Sequence, residues 1–356
     1  MESFIPNLVI GAEALGDEFL IRVGKDCNSI TVLHDGHLGV DAISILLEMS
    51  SACVSILDIR KVDSSFLEGL TACSVVVYAC IQDDLGLPFI HSAYKWGLKV
   101  VPVFYAKPRS YLWRNSLAKS TLLEELAKQR DAGFLKADYG IRDFINLIQA
   151  FERTKHLTGC IVELGCFRGS SAGALLSYIA SYAKSETEFS VDLFYLDVFS
   201  GFNYPESLSS SDAVWHGTHS TEGLIPVRQR LQAYALDTPG MSVHVLESNV
   251  ISDPIPREIL EHKIRLLNVD VDLYEAVSSA LLRYAEHVVI GGIIICEDAG
   301  HTPLLIGAFK AVEEFMSSEL GSSFCRFDLP SGQTMLVRIA NDACSTGEEC
   351  NYFDKA

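Results

Sequence analysis

Residues 160–169 read Cys-Ile-Val-Glu-Leu-Gly-Cys-Phe-Arg-Gly, an apolar run that ends in a turn with two glycines. This pattern predicts a strand, a tight turn and then a helix over Ser170–Ala183. Gly165 and Gly169 would let the backbone turn sharply and let a ligand approach the main chain. We therefore predict that Gly165, Gly169 and Ser170 take part in ligand binding at this turn.

The C-terminal half continues this alternation of strands and helices up to a final hairpin. The predicted strands are Cys160–Leu164, Leu193–Asp197, Val243–Glu247, Ile264–Asp270, Ile293–Glu297, Phe324–Leu329 and Thr334–Ile339, and the further helices are Leu224–Leu236, Leu273–Val288 and Leu304–Met316. Alternating strands and helices form a parallel sheet, and Pro330-Ser-Gly-Gln333 favours a turn between the last two strands. A parallel sheet that ends in an antiparallel hairpin is the α/β, Rossmann-like architecture of a class I methyltransferase.

The N-terminal part of the chain shows a second, shorter alternation. We predict strands over Ser29–His34, Val54–Ile59, Ser74–Ile81 and Lys99–Tyr105, and helices over Gly39–Met49, Ser64–Thr71 and Pro88–Trp96. Helices over Leu122–Gln129 and Ile141–Arg153 follow. The predicted organisation is a small α/β auxiliary domain (residues 1–110), a helical connector (111–155), the larger α/β domain (156–340) and a polar tail (341–356), in agreement with a length of 356 residues.

The composition argues against several classes of protein. The chain has 28 Lys and Arg against 46 Asp and Glu, a net charge of −18, which is unsuited to nucleic acid or to anionic lipid. Its apolar runs are far shorter than the roughly 20 residues of a membrane span, and its first residues do not resemble a signal peptide. The ten cysteines form no CxxC pair, so we expect reduced thiols in a cytoplasmic protein and no zinc site of cysteine spacing.

The glycine turn and the next strand favour one nucleotide cofactor over another. Glu163 and the two glycines have the form ExGxxxG, which differs from the GxGxxG of NAD-binding proteins. Asp197 ends the following strand, 32 residues after Gly165, where an acidic side chain accepts hydrogen bonds from ribose hydroxyls. This spacing suits S-adenosylmethionine (SAM), whose amino end Glu163 would reach. The alternatives are an ordinary strand–helix turn and a turn-forming Asp.

Carboxylates follow two neighbouring strands of the predicted parallel sheet. Asp270 and Asp272 end one strand, and Glu297 and Asp298 end the next. Because the carboxyl ends of parallel strands meet at one edge of the sheet, these side chains would converge there. Clustered carboxylates repel each other without a cation, and Mg²⁺ prefers oxygen ligands. We predict a Mg²⁺ site, with Asp272 also capping the following helix.

The region from about residue 160 to 339, half of the chain, resembles the macrocin O-methyltransferase (TylF-like) family of SAM- and Mg²⁺-dependent enzymes. The resemblance rests on Val162-Glu-Leu-Gly-Cys-Phe-Arg-Gly169, Tyr195-Leu-Asp-Val-Phe-Ser-Gly-Phe202, Leu266-Leu-Asn-Val-Asp-Val-Asp-Leu-Tyr-Glu275, Gly291-Gly-Ile-Ile-Ile-Cys-Glu-Asp298 with Gly300-His301, and Ala308-Phe-Lys-Ala-Val-Glu-Glu-Phe315. It implies SAM contacts at Glu163, Gly165, Asp197, Ser248 and Asn249, and metal ligands at Asp270, Glu297 and Asp298. It also implies a homodimer or a larger homo-oligomer. The family usually has two Asp and an aromatic residue where this chain has Glu297-Asp298-Ala299.

Methyl transfer from SAM needs a base beside the acceptor hydroxyl. We predict that Mg²⁺ chelates two neighbouring hydroxyls of the substrate and lowers the pKa of the one that is methylated. His301 is the first candidate for the base, and Asp270 or Asp272 would serve instead. The polar segment 203–223 is expected to form a lid; it carries His216 and His219, and its Tyr204 and Trp215 would join Phe202 in an apolar wall.

The sequence thus predicts an O-methyltransferase that acts on a small hydroxylated molecule. The preferred substrate is a sugar, either on a glycosylated natural product or as an activated sugar. A catechol-like phenol is the first alternative, because the same chelation would serve it. An NAD-dependent oxidoreductase and a catalytically silent binding protein are the others. The ExGxxxG spacing and the carboxylates disfavour both, although the first domain has no predicted task beyond a possible metal pair at His34 and His37 that is better explained as a loop.

Overall fold

The computed structural model describes ten segments of the chain: residues 29–34, 53–70, 74–78, 83–102, 111–112, 115–133, 141–210, 212–301, 305–329 and 331–339. The first of two sheets in these segments is small and parallel, with the order β2-β1-β3-β4. Its elements are β1 (Ser29–His34), β2 (Cys53–Asp58), β3 (Ser74–Tyr78), α1 (Asp83–Lys95) and β4 (Lys99–Pro102). The predicted helix over Gly39–Met49, His37 and the tail 341–356 lie outside the described residues.

Two helices lead to the second, seven-stranded sheet. They are α2 (Ser116–Asp131) and α3 (Ile141–Thr154). The elements that follow are β5 (Cys160–Leu164), α4 (Ser170–Ala183), β6 (Val191–Asp197), α5 (Pro205–Ser209), α6 (Leu224–Gln232), β7 (Met241–Glu247), α7 (Arg257–His262), β8 (Ile264–Val269), α8 (Tyr274–Tyr284), β9 (Val288–Cys296), α9 (Ile306–Met316), β10 (Phe324–Asp328) and β11 (Thr334–Arg338).

The large sheet has the order β10-β11-β9-β8-β5-β6-β7. Strands β5 to β9 pair in parallel, whereas β11 is antiparallel to both of its neighbours. This confirms the class I methyltransferase fold and its terminal hairpin. Strand β5 has β6 on one side and β8 on the other, so the chain reverses direction across the sheet at the ends of these strands, and α/β sheets bind ligands at such a point.

Helices cover both faces of the large sheet. The inner strands are buried along their whole length, as expected for a parallel sheet between two helical layers. One layer includes α2, α3, α4 and α6, and the other includes α7, α8 and α9. The predicted connector therefore belongs to the core of the large sheet, with Phe144, Ile148 and Phe151 of α3 fully or almost fully buried. The domain boundaries themselves stay a prediction.

Several elements differ from their predicted bounds. Strand β9 begins at Val288 instead of Ile293, because the two glycines continue the strand through an irregular register with β8. Helix α1 begins at Asp83 and contains Pro88, which was expected at its start. The short helices α5 and α7 were not predicted. They lie in polar segments whose apolar periodicity is too short to read.

Backbone hydrogen bonds fix the residues that follow the central strands. Gly165 N–H donates to Leu196 O at 2.7 Å, and Asp270 N–H donates to Leu164 O at 2.9 Å. Glu297 N–H donates to Val269 O at 3.0 Å. The turns after β5, β8 and β9 are thus held together at one edge of the sheet. Within the described segments, no helix is long and apolar enough to cross a membrane.

Candidate active site

A cavity of about 200 Å³ opens at the carboxyl ends of the central strands. It is lined by the turn after β5, the segments after β6 and β7, and the residues after β8. The predicted site residues in its wall are Gly165, Asp197, Ser248, Asn249, Asp270 and Asp272. The structure therefore brings residues from four separate strand ends to one concave surface, as the parallel sheet requires.

The cavity depends on the absence of a side chain at Gly165. This residue has a φ of +89°, and a Cβ built on it would lie 1.7 Å from the Asp270 carbonyl oxygen. Only glycine permits both the left-handed backbone and this close approach. Gly169 and Ser170 lie at the start of α4, outside the cavity wall, and Gly169 packs against Leu231.

Asp197 ties together two loops of the cavity wall. Its Oδ2 accepts the Phe167 N–H at 2.7 Å, and its Oδ1 accepts the Phe199 N–H at 2.6 Å. Burial raises the pKa of Asp197, and these backbone donors oppose that rise. Each carboxylate oxygen can accept a further hydrogen bond, so ribose binding by Asp197 stays a prediction compatible with this geometry.

Glu163 lies behind the glycine turn and not in the cavity wall. It is buried, and its Oε1 accepts hydrogen bonds from Ser171 Oγ and from Asn268 Nδ2. Its Oε2 has no partner among the described residues. Burial raises the pKa of Glu163 to about 7. The geometry matches the predicted role of orienting the turn, and contact with SAM stays a prediction.

Three aspartates converge at the inner end of the cavity. Asp270, Asp272 and Asp298 each offer a carboxylate oxygen, and these atoms lie within 4.8 Å of one another. Asp298 is 7% exposed, and its Oδ2 has no hydrogen-bond partner in the described part of the chain. Burial, followed by repulsion from neighbouring carboxylates, raises the pKa of Asp270 and of Asp298 well above the ordinary value. All-oxygen donors with an unpaired buried atom fit a hard cation.

The prediction that Asp272 caps the next helix is wrong. Asp272 has a φ of +56°, a left-handed conformation that Asp tolerates better than most residues. Its backbone N–H donates to the Asp298 carboxylate, and the first N–H of α8, at Tyr274, is accepted by Asp212 Oδ2 at 3.1 Å. A distant carboxylate from the lid segment has taken over the cap, which leaves the Asp272 side chain for the cavity.

Glu297, the third predicted metal ligand, belongs to a different group. Its carboxylate lies with Asp143 and His301, whose ligand atoms are within 4.8 Å of one another. Gln333 Nε2 donates to Glu297 Oε2 at 3.4 Å. Sequence reasoning missed Asp143 and Gln333, since one lies in α3 and the other in the turn before β11. The signal available was the row of polar residues at positions 143, 146 and 149 in an otherwise apolar helix.

The lid segment brings aromatic side chains to the cavity. Phe202 and Tyr204 line it, and their rings meet edge to face. His219 also lines it and contacts Phe202, with 4.8 Å between the ring centroids, and Trp215 at 5.9 Å. The predicted apolar wall therefore exists as a cluster around His219. His216 is turned elsewhere, with its Nδ1 2.7 Å from Ser207 Oγ.

Solved structures with a similar fold are methyltransferases of low sequence identity. The calicheamicin methyltransferase CalS11 is 18% identical, with a TM-score of 0.48, and the match covers 63% of this chain and 92% of that one. The O-methyltransferase NovP is 18% identical, with a TM-score of 0.44 and coverage of 56% and 81%. A Staphylococcus aureus protein described as a putative caffeoyl-CoA O-methyltransferase is 9% identical, with a TM-score of 0.39 and coverage of 60% and 91%.

The sequence itself matches one protein family. A comparison with curated proteins gave no match. The family model described as macrocin-O-methyltransferase (TylF) matches residues 138–321, just over half of the chain. This match begins within the segment before α3 and ends after α9, so it spans every residue that surrounds the cavity. The chain belongs to the macrocin-O-methyltransferase (TylF) family and is a SAM-dependent O-methyltransferase.

Proposed function

We propose that this enzyme transfers the methyl group of SAM to a hydroxyl of a sugar, with Mg²⁺ as the second cofactor. One observation carries the proposal: the three-aspartate group lies at the inner end of the same cavity that Gly165 and Asp197 line. The sugar class is supported by a relative, since a second structure of CalS11 is described as a TDP-rhamnose 3'-O-methyltransferase.

Asp270 and Asp298 are the proposed Mg²⁺ ligands in this chain. Mg²⁺ is commonly bound by one or two carboxylates and keeps its other positions for water or substrate. The unpaired Oδ2 of Asp298 is the atom that most needs a cation, because a buried carboxylate oxygen without a donor is costly. When bound, Mg²⁺ would orient two neighbouring hydroxyls and lower the pKa of one of them.

Asp272 is the proposed general base. Of the three residues predicted for this role, Asp270 and Asp272 line the cavity, whereas His301 is absent from the lining within the described part of the chain. Asp270 is assigned to the metal, so Asp272 is the carboxylate that remains free to accept the hydroxyl proton. Its left-handed backbone and the cap supplied by Asp212 hold it in this position.

The remaining cavity residues would hold the two substrates in line. The Gly165 turn would let SAM approach the backbone, Asp197 would accept its ribose hydroxyls, and Ser248 with Asn249 would complete that side. Phe202 and Tyr204 offer an apolar surface for the face of a sugar ring. Such positioning supplies much of the rate in a displacement reaction.

A product survey by mass spectrometry tests this function. The enzyme is given SAM and Mg²⁺ with nucleotide-linked sugars, glycosides and catechols in parallel, and we expect a gain of one methyl on a sugar. Methylation of catechols alone would overturn the sugar assignment and favour the phenol alternative. Asp272→Asn should keep SAM binding and lose turnover, and the exposed Asp237→Asn serves as its matched control. Undiminished turnover by Asp272→Asn would rule out this base.

A further inference from the structure

A second group of ligand-type side chains lies beside the three aspartates. Asp143 comes from α3, Glu297 follows β9, and His301 lies in the loop after it. One ligand atom from each falls within 4.8 Å of the other two. His301 Nε2 is 3.8 Å from Asp143 Oδ2, which is too long for a direct hydrogen bond and leaves room for an atom between them.

Asp143 is the residue that most needs a ligand. It is 2% exposed, and its Oδ1 has no hydrogen-bond partner within the described segments. The nearest charged neighbours are His301 and the exposed Arg142 of its own helix, together with the like charge of Glu297. A buried carboxylate with one unpaired oxygen, aimed at a second carboxylate, is unfavourable unless a cation joins them.

Residues outside the group hold its ligands in place. Asn146, one turn after Asp143, donates to Gln333 Oε1 at 2.7 Å, and Gln333 Nε2 donates to Glu297 Oε2 at 3.4 Å. The loop that carries His301 is held in turn, because Gly300 N–H donates to Gly332 O at 2.7 Å. Outer-shell hydrogen bonds of this kind orient the ligands of metal sites.

We propose that Asp143, Glu297 and His301 bind a second divalent cation of the transition-metal class, such as Zn²⁺ or Mn²⁺. An imidazole with two carboxylates suits these ions, whereas Mg²⁺ prefers oxygen ligands alone. The His301 side chain is about one-third exposed, so water can complete the coordination. The predicted absence of a zinc site rested on cysteine spacing, which cannot reveal ligands from three distant segments.

This site is separate from the proposed Mg²⁺ site and would have a different effect. His301 lies between the two groups, with its Nδ1 4.0 Å from Asp298 Oδ1 and its Nε2 toward Asp143. A cation held by Asp143, Glu297 and His301 would fasten α3 to the end of β9, the strand that leads to Asp298. It would also occupy the imidazole, in agreement with the assignment of Asp272 as the base.

Metal titration of the purified full chain, freed of metal by a chelator, tests the proposal without SAM or acceptor. Isothermal titration measures Zn²⁺ binding, and Co²⁺ absorption distinguishes imidazole and carboxylate ligands from cysteine thiolates. We expect Asp143→Asn and His301→Gln to remove one binding event. Gln333→Ala should weaken that event by roughly 10- to 100-fold, the usual cost of an outer-shell change.

Asp192→Asn is the matched control, because Asp192 also faces a histidine, His244, at 3.3 Å, in a pair that belongs to neither ligand group of the described residues. Its binding isotherm should equal that of the wild type. Asp143→Asn is close in shape to Asp and removes a buried charge, so the fold should persist, and circular dichroism verifies this. Zn²⁺ and Co²⁺ binding by both Asp143→Asn and His301→Gln at wild-type affinity would overturn the proposal. Because no methyl transfer is measured, that outcome leaves the proposed function untouched.

Discussion

Asp212 and Gly307 are 95 positions apart, yet Asp212 Oδ1 accepts the Gly307 N–H at 3.1 Å. The other oxygen accepts the Tyr274 N–H, so one carboxylate, 1% exposed, caps both α8 and α9. The positive ends of two helices favour a negative charge at this point. A Cβ on Gly307 would lie 1.7 Å from Asp212 Oδ2, which explains why glycine is needed there.

Removing this shared cap should destabilise the protein. We expect Asp212→Ala to lower the free energy of unfolding by about 3 kcal/mol, because two buried N–H groups lose a charged acceptor. Asp212→Asn keeps an acceptor oxygen and should lose less. Urea denaturation measures both, and the exposed Asp237→Ala should stay within about 0.5 kcal/mol of the wild type. An equal, small effect of Asp212→Ala and Asp237→Ala would contradict the capping role.

Gly165→Ala should impair SAM binding. The new Cβ would meet the Asp270 carbonyl and the backbone φ is unsuited to alanine, so the turn must move. We expect the affinity for SAM to fall by roughly tenfold or more, equivalent to about 1.4 kcal/mol. Gly133→Ala is the matched control: its φ is +79° with nothing within 4 Å of the new Cβ. It shares the conformational strain of about 1–2 kcal/mol and should bind SAM normally, as titration calorimetry would verify.

Glu163 should make the stability of the free enzyme depend on pH. Its pKa is raised to about 7 in the folded state from 4.5, so the native protein binds more protons in this range than the unfolded chain. Its contribution is therefore complete below pH 4.5 and is lost as the pH rises to about 7. Glu163→Gln removes this loss and should be more stable than the wild type by about 3 kcal/mol at pH 8, but not at pH 4.

Urea unfolding at several pH values measures this difference. Glu247→Gln changes an exposed glutamate at the end of β7 and should follow the wild-type pH profile. If Glu163→Gln and the wild type also ran parallel from pH 4 to 8, the burial of an ionisable Glu163 would not be a determinant of stability.

Mg²⁺ should stabilise the wild type through Asp298. At a concentration 100 times its dissociation constant, a ligand of the native state adds about 3 kcal/mol. We expect Asp298→Asn to lose this gain and to be more stable than the wild type without metal, because one buried repelling charge is gone. Thermal unfolding with Mg²⁺ and with a chelator measures both effects, with Asp237→Asn as control. A full Mg²⁺ response in Asp298→Asn would place the ion elsewhere.

The parts of the site that follow strands were predictable from the sequence. Gly165, Asp197 and Asp270 each end an apolar strand, and the strands of a parallel sheet bring such residues to one edge whatever the loops do. The same reasoning predicted the sheet and its hairpin, because strand–helix alternation leaves few topologies.

The remaining features depend on contacts between distant segments. Asp272 precedes a helix, so local rules favour it as the cap, but Asp212 reaches the same N–H group from 62 positions away. Asp143 belongs to a helix that the sequence marks only as a connector, and its partners follow β9. Side-chain grouping of this kind arises from tertiary packing and leaves no periodic signal in the chain.

The packing of α2 and α3 has a consequence for anyone who recombines this enzyme with its relatives. Leu122 and Leu126 of α2 and Phe144, Ile148 and Phe151 of α3 fill one side of the catalytic core. A fragment that starts at residue 156 would present this side to water and would aggregate. Chimeras that exchange the catalytic portion should therefore be joined upstream of Ser116, so that both helices travel with the sheet they cover.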